Sequence, residues 1–458
     1  MYGGIIIIDI KINSKDVRKN DTFLAIKGIN KDGHDYIEDA IKNGATKVIC
    51  EKGSYSVNTI KVKDTTKYLE DYLKENYYDK ISDLILIGIT GTSGKTTTSF
   101  LVYQMLKHLK QKVAYIGTIG FYMDKFVKKL DNTTPNIYEL YDLLLTCKEN
   151  NIKYVVMEVS SHSLSLGRLN TLLFDEVAFT NLSKEHLDYH KTMKEYAKCK
   201  KELFNKLRNK RVSIINKDDK YYKNFALEKN NNIFIGQSDA DLLINNIEVS
   251  SNYTKFDIEY KNKNYNLSIN LVGKYNVYNY LTALLLVNNL GFDIDKIIKY
   301  NDKLISPVGR MELIRYKNNS IYIDYAHKPD AVLKVLEVAN TIKNNKIITI
   351  IGCGGNRDKT KRPLMAEISC NNSDYVIFTN DNPRDEDEKD IISDMTKNLK
   401  YTNYEIVYDR REAIHRGVDL LNNEDILMIL GKGHEDYQII KDKHIHFSDK
   451  EEVLNFIK

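Results

Sequence analysis

The sequence predicts an α/β protein of three domains built on mostly parallel sheets, with a phosphate-loop domain at the centre. Three observations predict it. The chain has 458 residues, and at ~150 residues per domain that is too many for one core. Short apolar runs alternate with helical patterns, the order expected of parallel strands with crossover helices. The run Leu84-Ile-Leu-Ile-Gly-Ile89 leads through a Gly-rich loop into a helical pattern over Lys95–Leu109, the strand–loop–helix order that binds phosphate.

Along the chain, Met1–Asp9 reads as a strand. Its apolar run is short and lacks a basic leader, so it is not read as a signal peptide. Thr22–Ile26 reads as a strand, Tyr36–Asn43 as a helix stopped by Gly44, and Lys47–Cys50 as the next strand. These make a small α/β unit over residues 1–83, ending in a polar, tyrosine-rich helix-plus-linker stretch at Asp71–Asp83. The central segment, 84–305, continues with strands at Val113–Ile116, Tyr154–Met157, Glu176–Phe179 and Val212–Ile215. A meander of shorter strands follows over Ile233–Leu271, then an apolar helix over Tyr278–Leu290. The last segment, 306–458, carries strands at Ile321–Asp324, Ile347–Ile351, Tyr375–Phe378 and Ile426–Leu430. Each leads into a polar loop, and in parallel sheets the carboxyl ends of strands form the rim where ligands bind.

Composition excludes several classes. Apolar residues are 42% and charged residues 29%, a balance unlike collagen, a disordered tail or a membrane bundle. No apolar run approaches the roughly 18 residues of a membrane helix. A net charge of +5 is too mild and dispersed to argue for nucleic acid. Five cysteines without a CxxC pair fit a reducing cytoplasm better than a disulfide or zinc framework. The five prolines, Pro135, Pro307, Pro329, Pro363 and Pro383, are each expected in a polar loop. Twelve arginines stand among 56 lysines. Arg holds carboxylates and phosphates bidentately where Lys does not, so Arg168, Arg310, Arg357 and Arg384 stand out.

The most specific motif is Gly91-Thr92-Ser93-Gly94-Lys95-Thr96-Thr97. Its backbone N–H groups and helix N-terminus suit phosphates, Lys95 the outer phosphates and Thr96 a Mg²⁺ ion. Ile89 stands where strict Walker A spacing has its first glycine. Glu158, in Met157-Glu-Val-Ser-Ser-His162, ends a strand and is a second Mg²⁺ candidate, with a plain surface Glu as the alternative. Asn181–His190 puts His186, Asp188 and His190 beside one loop. Asp131–Pro135 reads as a helix cap able to take a phosphate. Gly354–Lys359 and Asp381–Arg384 combine arginines with acceptors, as a zwitterionic amino acid requires, or are two solvated turns.

Together with Gly273–Asn279, Val308–Glu312, Asp324–His327 and Gly431–Glu435, these motifs follow the order of the Mur ligase family. The chain resembles that family over nearly its whole length, in the MurE-type branch of UDP-N-acetylmuramoyl-tripeptide synthetases. The resemblance implies a Rossmann-like carboxy-terminal domain that closes over the site and brings the incoming amino acid. It implies ATP and Mg²⁺ on the central domain, with nucleotide binding completed by Asn276, Asn279, Arg310 and Asp324, and His327 in the closing segment. UDP-MurNAc-L-Ala-D-Glu would meet Ser14 and the Ile29–Lys31 loop at its uridine end, and Thr133, Thr134, Ser160 and Arg168 at its muramoyl-dipeptide. Lys95, Glu158, His186 and Lys200 would be the catalytic group, with Thr96, Glu158, His186 and carbamylated Lys200 toward the metal. Lys200 is chosen by family spacing, with Lys198 and Lys201 close by. The amino-acid site would comprise Arg357, Asp381, Asn382, Arg384, Gly431 and Glu435. The Asp-Asn-Pro-Arg form resembles the meso-diaminopimelate enzymes, since a second carboxylate gives Arg384 a partner that lysine lacks.

The expected activity is therefore ATP-driven amide formation through an acyl phosphate, in cytoplasmic peptidoglycan precursor synthesis, by a monomer. L-Lysine or another diamino acid is the alternative substrate. A noncatalytic nucleotide-dependent scaffold, or a related ligase such as MurF or folylpolyglutamate synthase, is the alternative protein. Asn13-Ser14-Lys15 replaces the family's usual Asp-Ser-Arg, and Ser93 replaces a usual Asn.

Overall fold

The computed structural model describes residues 7–28 and 31–458. The expected strand at Met1–Asp9 therefore lies mostly outside the described residues, as do Ile29 and Asn30 of the expected uridine loop. The chain forms two compact units, Met1–Phe234 with Leu285–Leu290, and Ile235–Leu284 with Gly291–Lys458.

The first unit opens with a small parallel sheet, in the order β1 (Ile10–Lys11), β2 (Thr22–Leu24), β3 (Lys47–Cys50) and β4 (Asn58–Lys61). Asp9 lies in a bend before β1, its carboxylate taking the hydroxyls of Tyr72 and Tyr77 at 2.8 and 2.6 Å. β2 stops two residues before the expected Ile26, because the Ile26 carbonyl turns away to accept the Gly33 N–H at 2.8 Å. The expected helix at Tyr36–Asn43 divides into a 3₁₀ turn, Gly33–Tyr36, and α1 (Ile37–Lys42). Asp32 caps the 3₁₀ turn through the His34 N–H at 3.0 Å. α2 (Thr65–Ile81) runs through the stretch expected to hold a linker. Asp64 caps it, and Leu69, Leu73, Tyr77 and Ile81 are buried at a spacing of four, one continuous helical face.

The larger sheet of this unit comprises β5 (Ile85–Thr90), β6 (Val113–Gly117), β7 (Gly120–Tyr122), β8 (Phe126–Lys128), β9 (Tyr154–Glu158), β10 (Phe174–Phe179) and β11 (Leu207–Asn216). Its order is β11-β10-β5-β9-β6-β7-β8, parallel from β11 to β6 and closed by an antiparallel hairpin. The strands alternate with α3 (Lys95–His108), α4 (Ile137–Glu149), α5 (Ser161–Ser165), α6 (Leu187–His190) and α7 (Met193–Asn205). β9 and β10 are buried at every residue, which explains their unbroken apolar runs.

The second unit begins with the expected meander. β12 (Asn231–Gly236) leads into β13 (Leu242–Val249), β14 (Thr254–Tyr260) and β15 (Lys263–Ile269), the last three antiparallel. α8 (Lys274–Asn289) starts one turn earlier than its apolar run suggests. After α9 (Ile294–Ile297) come β16 (Glu312–Tyr316), β17 (Asn319–Asp324), β18 (Ile347–Ile351), β19 (Tyr375–Phe378), β20 (Tyr404–Ile406) and β21 (Ile426–Leu430). They form one sheet in the order β16-β17-β21-β18-β19-β20, parallel except for β16. α10 (Pro329–Ile342), α11 (Lys361–Asn372), α12 (Glu388–Thr396) and α13 (Arg410–Asp419) connect the strands. A ribbon of β22 (Tyr437–Ile440) and β23 (Lys443–His446) precedes α14 (Asp449–Phe456). Pro329 and Pro363 lie in the first turns of α10 and α11, not in loops as expected. A first-turn N–H has no intrahelical acceptor, so proline costs nothing there. No helix among the described residues is long and apolar enough to cross a membrane.

A fully buried ion pair ties the end of the second sheet together. Arg410 gives its Nε and Nη2 to Asp449 at 2.7 and 2.8 Å, and two further N–H groups to the carbonyls of Asn380 and Leu430 at 3.2 and 3.0 Å. Arg410→Met should destabilise the protein by about 3–5 kcal/mol in urea unfolding, because it strands the Asp449 charge. Arg410→Met with Asp449→Leu should recover most of that loss.

Candidate active site

The phosphate loop leaves β5 and enters α3 with its backbone braced from the segment after β10. Thr92 N–H donates to the Asn181 carbonyl at 2.8 Å, and Ser93 N–H to Asn181 Oδ1 at 3.0 Å. Asn181 Nδ2 returns a bond to the Ser93 carbonyl at 3.0 Å, and the Ser183 N–H reaches Thr92 Oγ1 at 3.0 Å. Lys95 folds over the loop, its Nζ 2.9 Å from the carbonyls of both Gly91 and Thr92. Thr96 and Thr97 are buried at the start of α3.

Glu158, the last residue of β9, has no exposed surface. Thr96 Oγ1 donates to its Oε2 at 2.8 Å. Thr118 adds its N–H to Oε1 at 2.8 Å and its hydroxyl to Oε2 at 3.1 Å, and the Tyr115 hydroxyl also donates to Oε1. Thr133 lies 3.1 Å from Thr118, hydroxyl to hydroxyl. Thr134 donates to the Glu158 carbonyl at 2.8 Å and accepts the Ser160 N–H at 3.1 Å, while Arg168 Nη1 reaches the Thr134 carbonyl at 2.7 Å. The structure thus brings together Thr96, Glu158, Thr133, Thr134, Ser160 and Arg168. Ser14 lies in a 3₁₀ turn of the small sheet, its carbonyl accepting from Asn43 at 2.8 Å.

Lys200 is 1% exposed on α7. Its Nζ donates to the Gly91 carbonyl at 2.8 Å, the acceptor Lys95 also uses, and lies 4.7 Å from the Tyr196 ring centre. Burial, and then the Lys95 cation, hold its amine well below the ordinary lysine range. Lys198 is exposed and Lys201 half-buried. Around them the rings of His162, His186, His190, Tyr189 and Tyr196 cluster, with His162 centred 5.0 Å from His186 and His190 5.0 Å from Tyr196. The Asp188 side chain lies outside the described residues. Among the described residues no group of three or more His, Cys, Asp or Glu is placed to hold a metal. What Glu158 and Thr96 do offer is one carboxylate and one hydroxyl, hard oxygen donors that suit Mg²⁺, an ion that keeps several of its waters.

In the second unit the expected site residues stand at the carboxyl-end rim of the sheet, except Asn276 and Asn279, which lie on α8. Asp324 ends β17 and accepts the N–H groups of Met311 and Ala326 at 2.7 and 2.8 Å; burial raises its carboxyl pKa. Arg310 stacks 4.8 Å from the Tyr325 ring centre. His327 Nδ1 lies 2.8 Å from the Tyr325 carbonyl, and burial pulls the imidazole down to about 4, so it is neutral at pH 7. Asn276 Nδ2 donates to the Val272 carbonyl at 2.8 Å, and Asn279 Nδ2 to Asn276 Oδ1 at 3.0 Å. After β19, Asn382 Nδ2 donates to Glu435 Oε2 at 2.9 Å, and Asp381 is buried against Gly431. Arg384 adopts φ +54°, and its backbone is clamped to the ribbon by bonds of 3.0 Å to the Ile439 carbonyl and 2.8 Å from the Lys441 N–H. Its Nη1 donates to the carbonyls of Gly355 and Asn382 at 2.9 and 3.3 Å. Arg357 is exposed on the neighbouring loop.

Sequence reasoning missed Tyr115 and Thr118, which supply three of the donors to Glu158. Their positions at the end of β6 were the available signal. It gave no role to Arg362, the end of the Gly354–Arg362 stretch, which is fully buried between Glu386 at 3.0 Å and Asp394 at 2.9 Å. That residue pins the Gly354–Arg357 loop, since Glu386 also accepts the Asn356 N–H at 2.5 Å.

A phosphate loop backed by a buried carboxylate on a parallel sheet defines a phosphoryl-handling α/β enzyme. The chain belongs to the Mur ligase family and is a ligase. The Mur ligase middle domain matches residues 89–287, the Mur ligase glutamate ligase domain 309–433, and the Mur ligase family catalytic domain 7–78. The UDP-N-acetylmuramoyl-L-alanyl-D-glutamate--2,6-diaminopimelate ligase 1 of Clostridium acetobutylicum is 41% identical, over 98% of this chain and 94% of that protein. The Clostridium perfringens ligase of the same name, without the final numeral, is 39% identical, over 98% of this chain and 95% of that protein. A solved structure of a UDP-N-acetylmuramoyl-L-alanyl-D-glutamate--2,6-diaminopimelate ligase is 31% identical with a TM-score of 0.69, covering 98% of this chain and 94% of that one.

Gly117 leaves room for the carboxylate: a Cβ there would collide with Glu158 Oε1 and the Tyr115 hydroxyl. Gly117→Ala should therefore displace the carboxylate and lower kcat by about 100-fold, on the order of 2.7 kcal/mol, with fold retained by circular dichroism.

Proposed function

We propose that this chain joins the amino group of meso-diaminopimelate to the D-Glu carboxylate of UDP-MurNAc-L-Ala-D-Glu, converting ATP to ADP and phosphate, in peptidoglycan precursor synthesis. The names of its relatives support the substrate pair. The observation that carries the choice of amino acid is Arg384. Its guanidinium is held on a fixed left-handed turn, and its described hydrogen bonds go to backbone carbonyls alone. A charge so placed fits a substrate carboxylate, which diaminopimelate has beyond those of lysine.

In this reading the phosphate loop and Lys95 orient the triphosphate, and Lys95 stabilises the charge spread as the γ-phosphoryl moves to the D-Glu oxygen. The product is an acyl phosphate, which the amine attacks, expelling phosphate. Thr133, Thr134, Ser160 and Arg168 hold the muramoyl-dipeptide, with Ser14 and Ile29–Lys31 toward the uridine. Asn276, Asn279, Arg310 and Asp324 hold the nucleotide, and Arg357, Asp381, Asn382, Gly431 and Glu435 accompany Arg384. Thr96 and Glu158, joined by His186 and a carbamate on Lys200, would hold Mg²⁺; when bound, that ion neutralises phosphate charge. The buried Lys200 amine, held below the ordinary lysine range, is suited to adding CO₂ through its uncharged form, losing one proton as the N–C bond forms; exposed Lys198 is not. A cytoplasmic monomer with domains at 1–83, 84–305 and 306–458 belongs to the same proposal.

The test is phosphate release with UDP-MurNAc-L-Ala-D-Glu, ATP and either meso-diaminopimelate, L-lysine, L-ornithine or no amino acid, with product mass measured. Release and product with diaminopimelate alone are expected; product with L-lysine instead would overturn the selectivity. Arg384→Ala should raise the KM for diaminopimelate roughly 10- to 100-fold, the loss of a charge-assisted bond. Native intact mass should show one added carboxyl group, lost on acidification and absent from Lys200→Ala. An unmodified native chain would remove the carbamate from the mechanism.

A further inference from the structure

Lys432 stands between the amino-acid residues just described, and its side chain has no exposed surface. An ammonium survives such burial only when every N–H is bonded. Its three N–H donors meet three acceptors: Asn382 Oδ1 at 3.3 Å, Glu435 Oε2 at 3.3 Å and the Tyr437 carbonyl at 2.5 Å. The Tyr437 ring centre lies 5.5 Å from Nζ. Here two of the three bonds go to side chains of the substrate site.

These bonds fix the orientation of both partners. Asn382 Oδ1 also accepts the Ile439 N–H at 2.9 Å, and its Nδ2 donates to Glu435 Oε2 at 2.9 Å, so the amide has one orientation. Both described contacts of the Glu435 carboxylate converge on Oε2, which leaves Oε1 to face a ligand. Asp381 is the neighbouring carboxylate, its Oδ2 lying where a Cβ on Gly431 would be 2.8 Å away. Burial, and then the Asp381 charge, push the Glu435 carboxyl up, while Lys432 opposes them. A half-buried carboxylate that feels a second, buried one favours taking up a proton unless a cation stands with it. As carboxylates both hold an incoming ammonium by charge as well as by hydrogen bond.

We propose that Lys432 is a positioning residue of the amino-acid site, locking Asn382 and Glu435 into one fixed pair and keeping the Glu435–Asp381 corner anionic for the substrate ammonium. The proposal rests on the reading of this rim as the amino-acid site. It predicts a defect confined to one substrate. Lys432→Met should raise the KM for diaminopimelate about 10-fold, with kcat and the KM values for ATP and UDP-MurNAc-L-Ala-D-Glu within about threefold of wild type. The acid limb of kcat/KM for diaminopimelate should move to higher pH, because Glu435 loses the cation that opposes its protonation. In a Glu435→Gln background the same substitution should change that KM by less than about twofold, the mark of two residues acting as one unit.

A uniform rise in all three KM values, a fall in kcat alone, or independent effects in the double variant would overturn the proposal. Lys432→Gln, neutral but still a donor, is measured beside Lys432→Met. If neither folds by circular dichroism, the lysine is a scaffold element and the proposal fails. Wild-type protein that makes no product from any diamino acid would sink the substrate reading and this proposal together. Wild-type protein active with diaminopimelate, with variants that behave otherwise, sinks the proposal alone.

Discussion

A carboxylate with no exposed surface ends β9, and the first unit is arranged around satisfying it. Leaving Glu158 unbonded in that position would cost several kcal/mol. Its two oxygens instead receive donors from β6 through Tyr115, from the following turn through both groups of Thr118, and from α3 through Thr96. Each donor holds a different piece of the chain at a fixed distance from the phosphate loop. The backbone beside it extends the effect: the Glu158 carbonyl takes Thr134, and the Val159 carbonyl takes Thr90, at 2.8 Å each. The loop proposed to hold the substrate peptide is thereby tied to the strand that carries the carboxylate. Gly117 is part of the same constraint, because a larger residue would take the carboxylate's place.

The second unit solves a related problem with cations. Arg410, Arg362 and Lys432 are buried at the carboxyl ends of its strands, and each is matched to carboxylate or carbonyl oxygens. Arg410 spans Asp449, Asn380 and Leu430, using the several donors of one planar group to close three segments at once. Arg362 joins the loops after β18 and β19 through Gly354 and Glu386. These residues make a rigid rim from loops that would otherwise be mobile. Arg384 differs from them in kind. Its backbone is clamped and its guanidinium has only carbonyl partners among the described contacts, so its charge is presented rather than spent.

Much of this was legible in the chain. The parallel strands announced themselves as apolar runs because both faces are covered, and the phosphate loop did so because its glycines and Lys95 are consecutive. The motif order, from Gly91–Thr97 to Gly431–Glu435, was enough to indicate the family and the rim residues of the third series. Misreadings came where a local signal was answered by something nearby in space. Ile26 looked like strand until its carbonyl turned to Gly33. Pro329 and Pro363 looked like loop residues because proline marks a break, and a helix start is the break it tolerates.

The amino-acid order alone settled most strand and helix periodicities and the strand–loop–helix order around Gly91–Thr97, since each depends on neighbours within a few residues. Tertiary structure alone decided which of three adjacent lysines is buried, which hydroxyls meet Glu158, and that Lys432 bridges Asn382 and Glu435. Burial and hydrogen-bond partnership are properties of packed surfaces. Thr118 meets a residue 40 positions away and Lys432 one 50 away, and no periodicity in the chain encodes such a distance.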